Sequence, residues 1–329
     1  MIYLHGIGHF HPENVITNRF LAELEIGTDE EWIMERVGIR ERRTVLPLDY
    51  IRKTRNREPR AAHEASLYSN AEMSVAAARM AMDRAGLSPS DIGLVISGSS
   101  VPSYTTPAES AVVAAQLGIE APCLDVNSAC TTFGVQIDLL NRMALDRLPP
   151  FVLVVQQEAI TRAVDFSDRS AAVLFGDAST AAVLSAAVPT RLAFVESHCG
   201  TNAAEWRRVT VAYGAHFRQD GHAVQGFAIR RMTESLQGIK SMRTNGQGFR
   251  FIGHQANLGA LRTVCDRAEL PEGHHWFNVD RFGNTGSSGA ASVLSAHWDD
   301  LQPGMHVGIC LVGAGLTWAN LLLAVEKNG

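Results

Sequence analysis

Seven short apolar runs punctuate this chain, at residues 92–97, 123–126, 152–155, 171–175, 181–184, 249–252 and 307–312. Each is too brief for a buried helix and is bounded by turn-forming residues, so each reads as an interior strand. Helical patterns lie between some of them. Residues 71–85 are rich in Ala and Met, which form helices readily, and Gly86 supplies a stop. Residues 109–117 form a second such stretch. Residues 131–145 form a third, with Phe133, Ile137, Leu140 and Ala144 on one stripe. Strand and helix alternating along most of the chain predict an α/β fold.

A chain of 329 residues is long for one small domain, so two structural halves or one large α/β unit are expected. A second half begins near residue 190. Charged residues total 19% and hydrophobic ones 46%, which excludes wholesale disorder. The net charge of −5 argues against a nucleic-acid partner. The five cysteines are odd in number and show no C-x-x-C spacing, so neither a disulfide framework nor a cysteine-type zinc site is expected. That usage suits a reducing cytoplasm. No secretory signal is read in the first residues, which lack a basic segment and a long apolar run. Residues 307–325 carry no charge and would measure about 28 Å as a helix, enough to approach a membrane span. However, Gly308, Gly313, Gly315 and Asn320 interrupt them. Two buried strands, 307–312 and 321–325, around a glycine turn are expected instead, with no membrane partner.

Four places carry candidate chemistry. Cys130 stands where a strand passes into the 131–145 helix, so a helix dipole lies behind its sulfur and favours the nucleophilic thiolate. The alternative is a small hydrophobe filling a core gap, which is also how Cys123, Cys199, Cys265 and Cys310 read. His254, in Gly253-His-Gln-Ala-Asn257, follows an apolar strand directly, where α/β proteins build sites; a structural role is equally open. Asn284 lies in the glycine-rich turn Gly283-Asn-Thr-Gly-Ser-Ser-Gly289, which by itself needs only backbone freedom. The bare turn Gly313-Ala-Gly-Leu-Thr-Trp318 lets backbone N–H groups approach a ligand. By contrast, His5, His9 and His11 have no carboxylate cluster nearby and are not read as a metal site. His274-His275 reads as an exposed loop pair. Arg52, Lys53, Arg55, Arg57 and Arg60 make a basic run, either a solvated loop or a dock for phosphate or an acidic partner.

Together these segments resemble the β-ketoacyl-acyl-carrier-protein synthase III group of the thiolase superfamily. Thr28-Asp-Glu-Glu-Trp-Ile-Met-Glu-Arg-Val-Gly-Ile-Arg-Glu-Arg-Arg43 is similar to that group's N-terminal signature. Asp125–Cys130 is similar to its nucleophile segment, and Asp168–Ala178 to its central strand. His254–Asn257, Gly283–Thr285 and the Gly313–Trp318 turn follow in the same order. The resemblance implies a thiolase-like fold of two similar halves in a layered α-β-α-β-α arrangement. Residues 1–188 would carry the nucleophile, with a basic insertion near 44–68, and residues 189–329 would carry the His and Asn.

The resemblance further implies a Cys130–His254–Asn284 site and a decarboxylating Claisen condensation of an acyl-coenzyme A primer with a malonyl-acyl-carrier protein. Backbone N–H groups of Cys130 and Ala314 would form the oxyanion hole, with Ala314 where the group usually has glycine. Thr28, Trp32, Arg36 and Arg162 would meet coenzyme A, which is a substrate; no metal or redox cofactor is implied. A homodimer is implied, in which Thr106 gates the partner's acyl pocket. A bulky aromatic holds that place in short-primer members, so a medium-chain primer is expected here. The group's basic residue after His-Gln-Ala-Asn is replaced by Gly259, which leaves Arg230, Arg231 and Arg262 as candidate carrier-protein contacts. Phe227 falls where a polar pantetheine contact is usual. One alternative is an acyltransferase delivering the acyl group to an amine or alcohol. Another is a non-catalytic partner subunit, against which the intact Cys130, His254 and Asn284 argue.

Overall fold

A computed structural model describes residues 1–243 and 248–326. Its strands are β1 (Ile2–Phe10), β2 (Asn14–Thr17), β3 (Glu41–Thr44), β4 (Leu94–Gly98), β5 (Cys123–Asp125), β6 (Val152–Glu158) and β7 (Ala178–Ser185). They continue with β8 (Leu192–Thr201), β9 (Val209–Val211), β10 (Phe217–Gln219), β11 (Phe249–Gly253), β12 (His306–Gly313) and β13 (Thr317–Val325). Nine of them join in the order β11-β12-β13-β8-β1-β7-β6-β4-β5. The seam is narrow. β1 meets β8 only at Ile2↔Phe194 and Tyr3↔Ala193, so the sheet behaves as two half-sheets hinged at one corner.

The alternation of side chains along each strand then builds the layers. Val152 and Val154 of β6 face a central core with Phe133, Ile137, Ala290 and Val293. Leu153 and Val155 face the other way, onto Ala77, Ala81 and Val113 of helices Asn70–Ala85 and Glu109–Leu117. In β12, Val307, Ile309 and Leu311 point to the same central core. Cys310 and Val312 belong to the core on the opposite face, with Met232, Leu236 and Leu261 of helices Gly221–Arg243 and Leu258–Arg267. Helices Thr132–Arg142 and Gly289–Ala296 therefore lie between the two half-sheets. The result is the expected layered α-β-α-β-α arrangement.

Local chemistry explains the boundaries. Ser69 and Glu72 cap Asn70–Ala85 reciprocally, and Gly86 ends it in the left-handed region at φ 67°. The third helix stops at Arg142, because Met143 is extended and Ala144 precedes a separate 3-10 turn. The expected strand at 171–175 is instead the short helix Arg169–Ala172, capped by the Asp168 side chain and made of small helix-compatible residues. Only Phe175 is strand-like, bridging Asn284. Residues 307–325 form the antiparallel pair β12–β13, with β13 starting at Thr317, earlier than expected. No helix among the described residues is long and apolar enough to cross a membrane.

The basic segment is not a free loop. It forms helices Leu48–Thr54 and Pro59–Ala65, and Asn56 between them is fully buried. The Asn56 amide donates to the carbonyls of Thr161, Arg162 and Val164 at 3.2, 2.8 and 2.9 Å. Arg52 pairs with Glu23 and Asp49, while Arg55 donates to the Leu24 carbonyl. Lys53, Arg57 and Arg60 remain exposed.

Candidate active site

Cys130 sits in the 3-10 turn Ala129–Thr131, between β5 and the central helix Thr132–Arg142. Ala129 just before it has φ 48°, a left-handed conformation that costs energy for any residue with a Cβ. Local hydrogen bonds hold it there. The Ala129 N–H donates to Asn127 Oδ1 at 2.8 Å, and the Thr132 hydroxyl donates to the Ala129 carbonyl at 2.7 Å. Cys130 is thereby presented to a cavity of about 470 Å³ that His254 and Asn284 also line.

His254 directly follows β11, and its N–H donates to the Cys310 carbonyl at 2.8 Å. Its Nδ1 is buried and has no partner. Burial pushes the imidazole down to about 4, so it is neutral at physiological pH. Asn284 is placed by its glycine neighbour. Gly283 has φ 68°, and a Cβ there would lie 2.6 Å from the Leu174 carbonyl oxygen and 2.8 Å from Arg42 Cγ. The Asn284 N–H donates to the Leu174 carbonyl at 2.8 Å, and the fully buried Arg42 braces the same segment by donating to Val173 O at 3.0 Å. Asn284 Oδ1 accepts from the Gly286 N–H at 3.0 Å. The amide oxygen is thus occupied, and the Nδ2 hydrogens are what Asn284 can offer to the cavity.

The protonation of Cys130 reverses the expectation of a thiolate. Burial pushes the thiol up to about 12, the Glu158 carboxylate adds to this, and the residue's own backbone N–H opposes it only in part. The helix start is real, but desolvation of the sulfur outweighs it. Arg36, Cys130 and His254 are the titratable residues lining the cavity. His254 is therefore the neutral base available to the thiol.

The turn between β12 and β13 brings Ala314 to the same cavity. Ala314 lies outside the left-handed region, so its Cβ carries no backbone penalty. The Thr317 hydroxyl donates to the Ala314 carbonyl at 3.0 Å and meets the Thr131 hydroxyl at 3.0 Å. These contacts tie the Ala314 turn to the Cys130 turn.

At the cavity mouth stand Trp32 and Arg36, on helix Glu30–Val37, which Asp29 caps by accepting from the Trp32 N–H at 2.7 Å. Arg36 lies 6.0 Å from the Trp32 ring centre. The residue that covers Trp32 more closely is Arg169, at 4.9 Å. Arg162 is elsewhere, which corrects its placement beside the nucleotide. It is buried and donates to Ser66 Oγ at 3.0 Å, the Tyr68 carbonyl at 2.8 Å and Ser103 Oγ at 3.3 Å. There it fastens the 66–68 segment to the 100–104 loop, in the wall of a separate cavity of about 750 Å³. Sequence reasoning quoted Arg169 within Asp168–Ala178 without giving it a role, because chain spacing does not show that its helix packs beside Trp32. The Thr28 hydroxyl is buried without a partner, but Thr28 does not line the cavity.

Thr106 is exposed and lies outside the cavity wall in a single chain. Arg230 and Arg262 are exposed on their helices. Arg231 is half-buried, 4.1 Å over the Trp318 ring and 3.1 Å from Glu234, so it is held inward. Phe227 does line the cavity, as do Val209, Val211 and Phe217 of the β9–β10 hairpin, which sequence reasoning missed. His5 and His9 hydrogen-bond to Val188 O and Ser295 Oγ, and His11 stacks on Phe282 at 3.7 Å. His275 is not a free loop residue. It is half-buried, bridges Phe251 of β11, and burial pushes it down to about 4.

Comparison with known proteins agrees with this geometry. The family described as 3-Oxoacyl-[acyl-carrier-protein (ACP)] synthase III matches residues 124–203, and its C-terminal counterpart matches residues 245–325. A curated relative from Symbiobacterium thermophilum, named Beta-ketoacyl-[acyl-carrier-protein] synthase III, is 32% identical, covering 97% of this chain and 96% of its own. One of the same name from Oceanobacillus iheyensis is 29% identical over 98% of both. Among solved structures, the 3-oxoacyl-[acyl-carrier-protein] synthase III of Aquifex aeolicus VF5 superposes with a TM-score of 0.87 at 25% identity, covering 98% of this chain and 100% of that one. The synthase III of Thermus thermophilus gives 0.84 at 27% identity, covering 99% and 100%. With the layered fold and the Cys, His and Asn on one cavity, these matches establish that the chain belongs to the β-ketoacyl-acyl-carrier-protein synthase III family of the thiolase superfamily.

Proposed function

We propose that this enzyme joins an acyl-coenzyme A primer to a malonyl-acyl-carrier protein, through an acyl-Cys130 intermediate, to give a β-ketoacyl-acyl-carrier protein. The observation that carries this reading is that one cavity gathers a thiol, a neutral imidazole and an amide whose oxygen is already bonded. Cys130 Sγ attacks the primer's thioester carbonyl and its proton passes to His254. The carbonyl oxygen takes the charge and is met by the backbone N–H groups of Cys130 and Ala314. The tetrahedral adduct collapses, the carbon–sulfur bond to coenzyme A breaks, and the proton held by His254 leaves with the coenzyme A sulfur. Malonyl thioester enters next. Cleavage of its carboxyl bond releases CO₂ and leaves the electron pair as an enolate, stabilised by the ring N–H of the neutral His254 tautomer that faces the cavity and by Nδ2–H of Asn284. The enolate carbon attacks the acyl-Cys130 carbonyl, and Cys130 departs as a thiolate and takes a proton from solvent, the one proton the overall reaction consumes. Electrons balance throughout without a redox step.

Trp32, flanked by Arg169 and Arg36, would stack on the coenzyme A nucleotide, since ring faces and guanidinium groups suit a phosphorylated purine. Arg230 and Arg262, with the exposed Lys53, Arg57 and Arg60, offer cations to an acidic carrier protein. The protein acts as a cytoplasmic homodimer in which the partner's Thr106 loop closes the acyl pocket. The small Thr106 side chain favours a medium-chain primer, roughly six to ten carbons, each buried CH₂ adding about 0.8 kcal/mol. Transfer of the acyl group to an amine or alcohol would need no enolate donor, and Asn284 favours condensation over it.

Intact-mass measurement after mixing with acyl-coenzyme A primers of graded length, then a chase with malonyl-carrier protein, tests this. An adduct on Cys130 that disappears as CO₂ and β-ketoacyl product form is expected. An adduct that survives the chase without CO₂ would move the assignment to acyl transfer, and exclusive labelling by acetyl would overturn the medium-chain reading.

A further inference from the structure

Glu158, the last residue of β6, is fully buried although no step above uses it. Its carboxylate lies beneath the turn that carries Asn284. Ser287 reaches it from that turn, donating from its hydroxyl at 2.7 Å and from its N–H at 3.3 Å. Ser100 reaches it from the loop after β4, donating from its hydroxyl at 3.0 Å and from its N–H at 3.1 Å. Gly286 closes over it. A Cβ at that position, where φ is 57°, would lie 3.0 Å from Glu158 Cδ and 3.1 Å from Oε1. The N–H of this same Gly286 holds Asn284 Oδ1. The carboxylate thus holds Ser287, the neighbour of the Gly286 whose N–H orients the Asn284 amide, and anchors this turn to the other half-sheet. Ser100, Gly286, Ser287 and Cys130 are the groups that bear on it, and of these only Cys130 titrates.

We propose that Glu158 is a positioning residue for the decarboxylation half of the reaction, acting by fixing the Gly286–Ser287 turn so that the Asn284 nitrogen faces the cavity. Burial pushes this carboxyl up to about 7; in its ionised form it only accepts, and all its partners donate. A carboxamide in its place would set an NH₂ against the Ser100 N–H. Cys130 is placed by its own turn through Asn127 and Thr132, and loss of the Glu158 charge would only ease ionisation of its thiol, so its acylation is expected not to fall.

This inference rests on the condensing reading, and the test separates the two. The two half-reactions are measured on the full chain, acylation of Cys130 by acyl-coenzyme A and CO₂ release from the malonyl thioester. The proteins compared are the unaltered one, Glu158→Gln, Ser287→Ala, Asn284→Ala and the Glu158→Gln/Asn284→Ala double variant. Glu158→Gln is expected to slow CO₂ release roughly 10²-fold, approaching the loss from Asn284→Ala itself, while acylation falls by less than about threefold or rises. Ser287→Ala, which removes one donor, is expected to show a smaller loss of the same kind. In the double variant Glu158→Gln is expected to add no further loss, because it acts through Asn284. An additive loss in the double variant, or an equal fall in both half-reactions, would overturn the proposal. Undiminished CO₂ release in Asn284→Ala alone would instead overturn the condensing reading on which it rests.

Discussion

Chemistry at this site starts from a protonated sulfur, and the consequence can be measured without substrate. An ordinary cysteine ionises near about 8.5. Burial pushes Cys130 up to about 12, with the Glu158 carboxylate acting in the same direction. At about pH 8 a free thiol is roughly one-quarter thiolate, whereas a group ionising near 12 is roughly 10⁻⁴ thiolate. Alkylation proceeds through the thiolate, so Cys130 should react with iodoacetamide roughly 10³-fold more slowly than a free thiol. Its rate should also climb tenfold per pH unit to about pH 10 without levelling. Peptide-resolved mass spectrometry is the assay, since Cys123, Cys199 and Cys265 are also part-exposed. A plateau below about pH 9 would refute the reasoning, because it would mean that the helix start outweighs desolvation of the sulfur. The same raised ionisation means that the folded state binds this proton more tightly than the unfolded chain. Stability from Cys130 is therefore present below about pH 8.5 and is lost as pH rises toward 12.

The two arginines should separate cleanly in steady-state kinetics. Arg169→Ala removes the cation over Trp32, worth about 1–2 kcal/mol, and should raise KM for acyl-coenzyme A about 5- to 30-fold. Arg162→Ala should instead lower the urea midpoint by stranding Ser66 and the Tyr68 carbonyl, leaving KM little changed. For Gly283→Ala, a left-handed alanine and an overpacked contact predict a destabilisation of about 2–5 kcal/mol by urea unfolding, and less than about 1 would contradict the geometry. His254 ionises lower in the fold than in the unfolded chain, so its contribution to stability is lost as pH falls from about 6.5 toward 4. Replacing it with asparagine should flatten that part of the stability–pH curve, and a curve left unaltered would count against a buried neutral imidazole.

Much of this arrangement could be read from residues alone where local chemistry decides. Gly86 stops a helix because its left-handed φ suits glycine, and strands β6 and β12 announce themselves through the apolar runs 152–155 and 307–312, buried on both faces. Cys130, His254 and Asn284 each follow a strand or a glycine turn, which left structural readings open; the order of their motifs, resembling the family's, is what singled them out. What escaped depends on packing across the molecule. Arg162 and Arg169 stand seven positions apart and look equally suited to a nucleotide, yet only the Arg169 helix packs against Trp32. The charge state of Cys130 was misread for the same reason, because dipoles follow from chain order and burial does not. Ala171–Phe175 looked like a strand from its composition, while the Asp168 cap turned its start into a helix.

Cys130 and Asn284 both stand at the entrances of the two helices packed between the half-sheets, most of whose residues are buried. The second of these is built almost wholly of small residues, with Ala290, Ala291, Ser292 and Val293 all buried. An added methyl group there has to be absorbed by both half-sheets at once, since interiors this dense have no slack. Diversification of such a molecule is therefore pushed outward, to the β9–β10 hairpin over the cavity and the helices docked by Asn56. Those parts can be rebuilt for a new acyl chain or a new carrier while the reacting groups stay where the two sheets hold them.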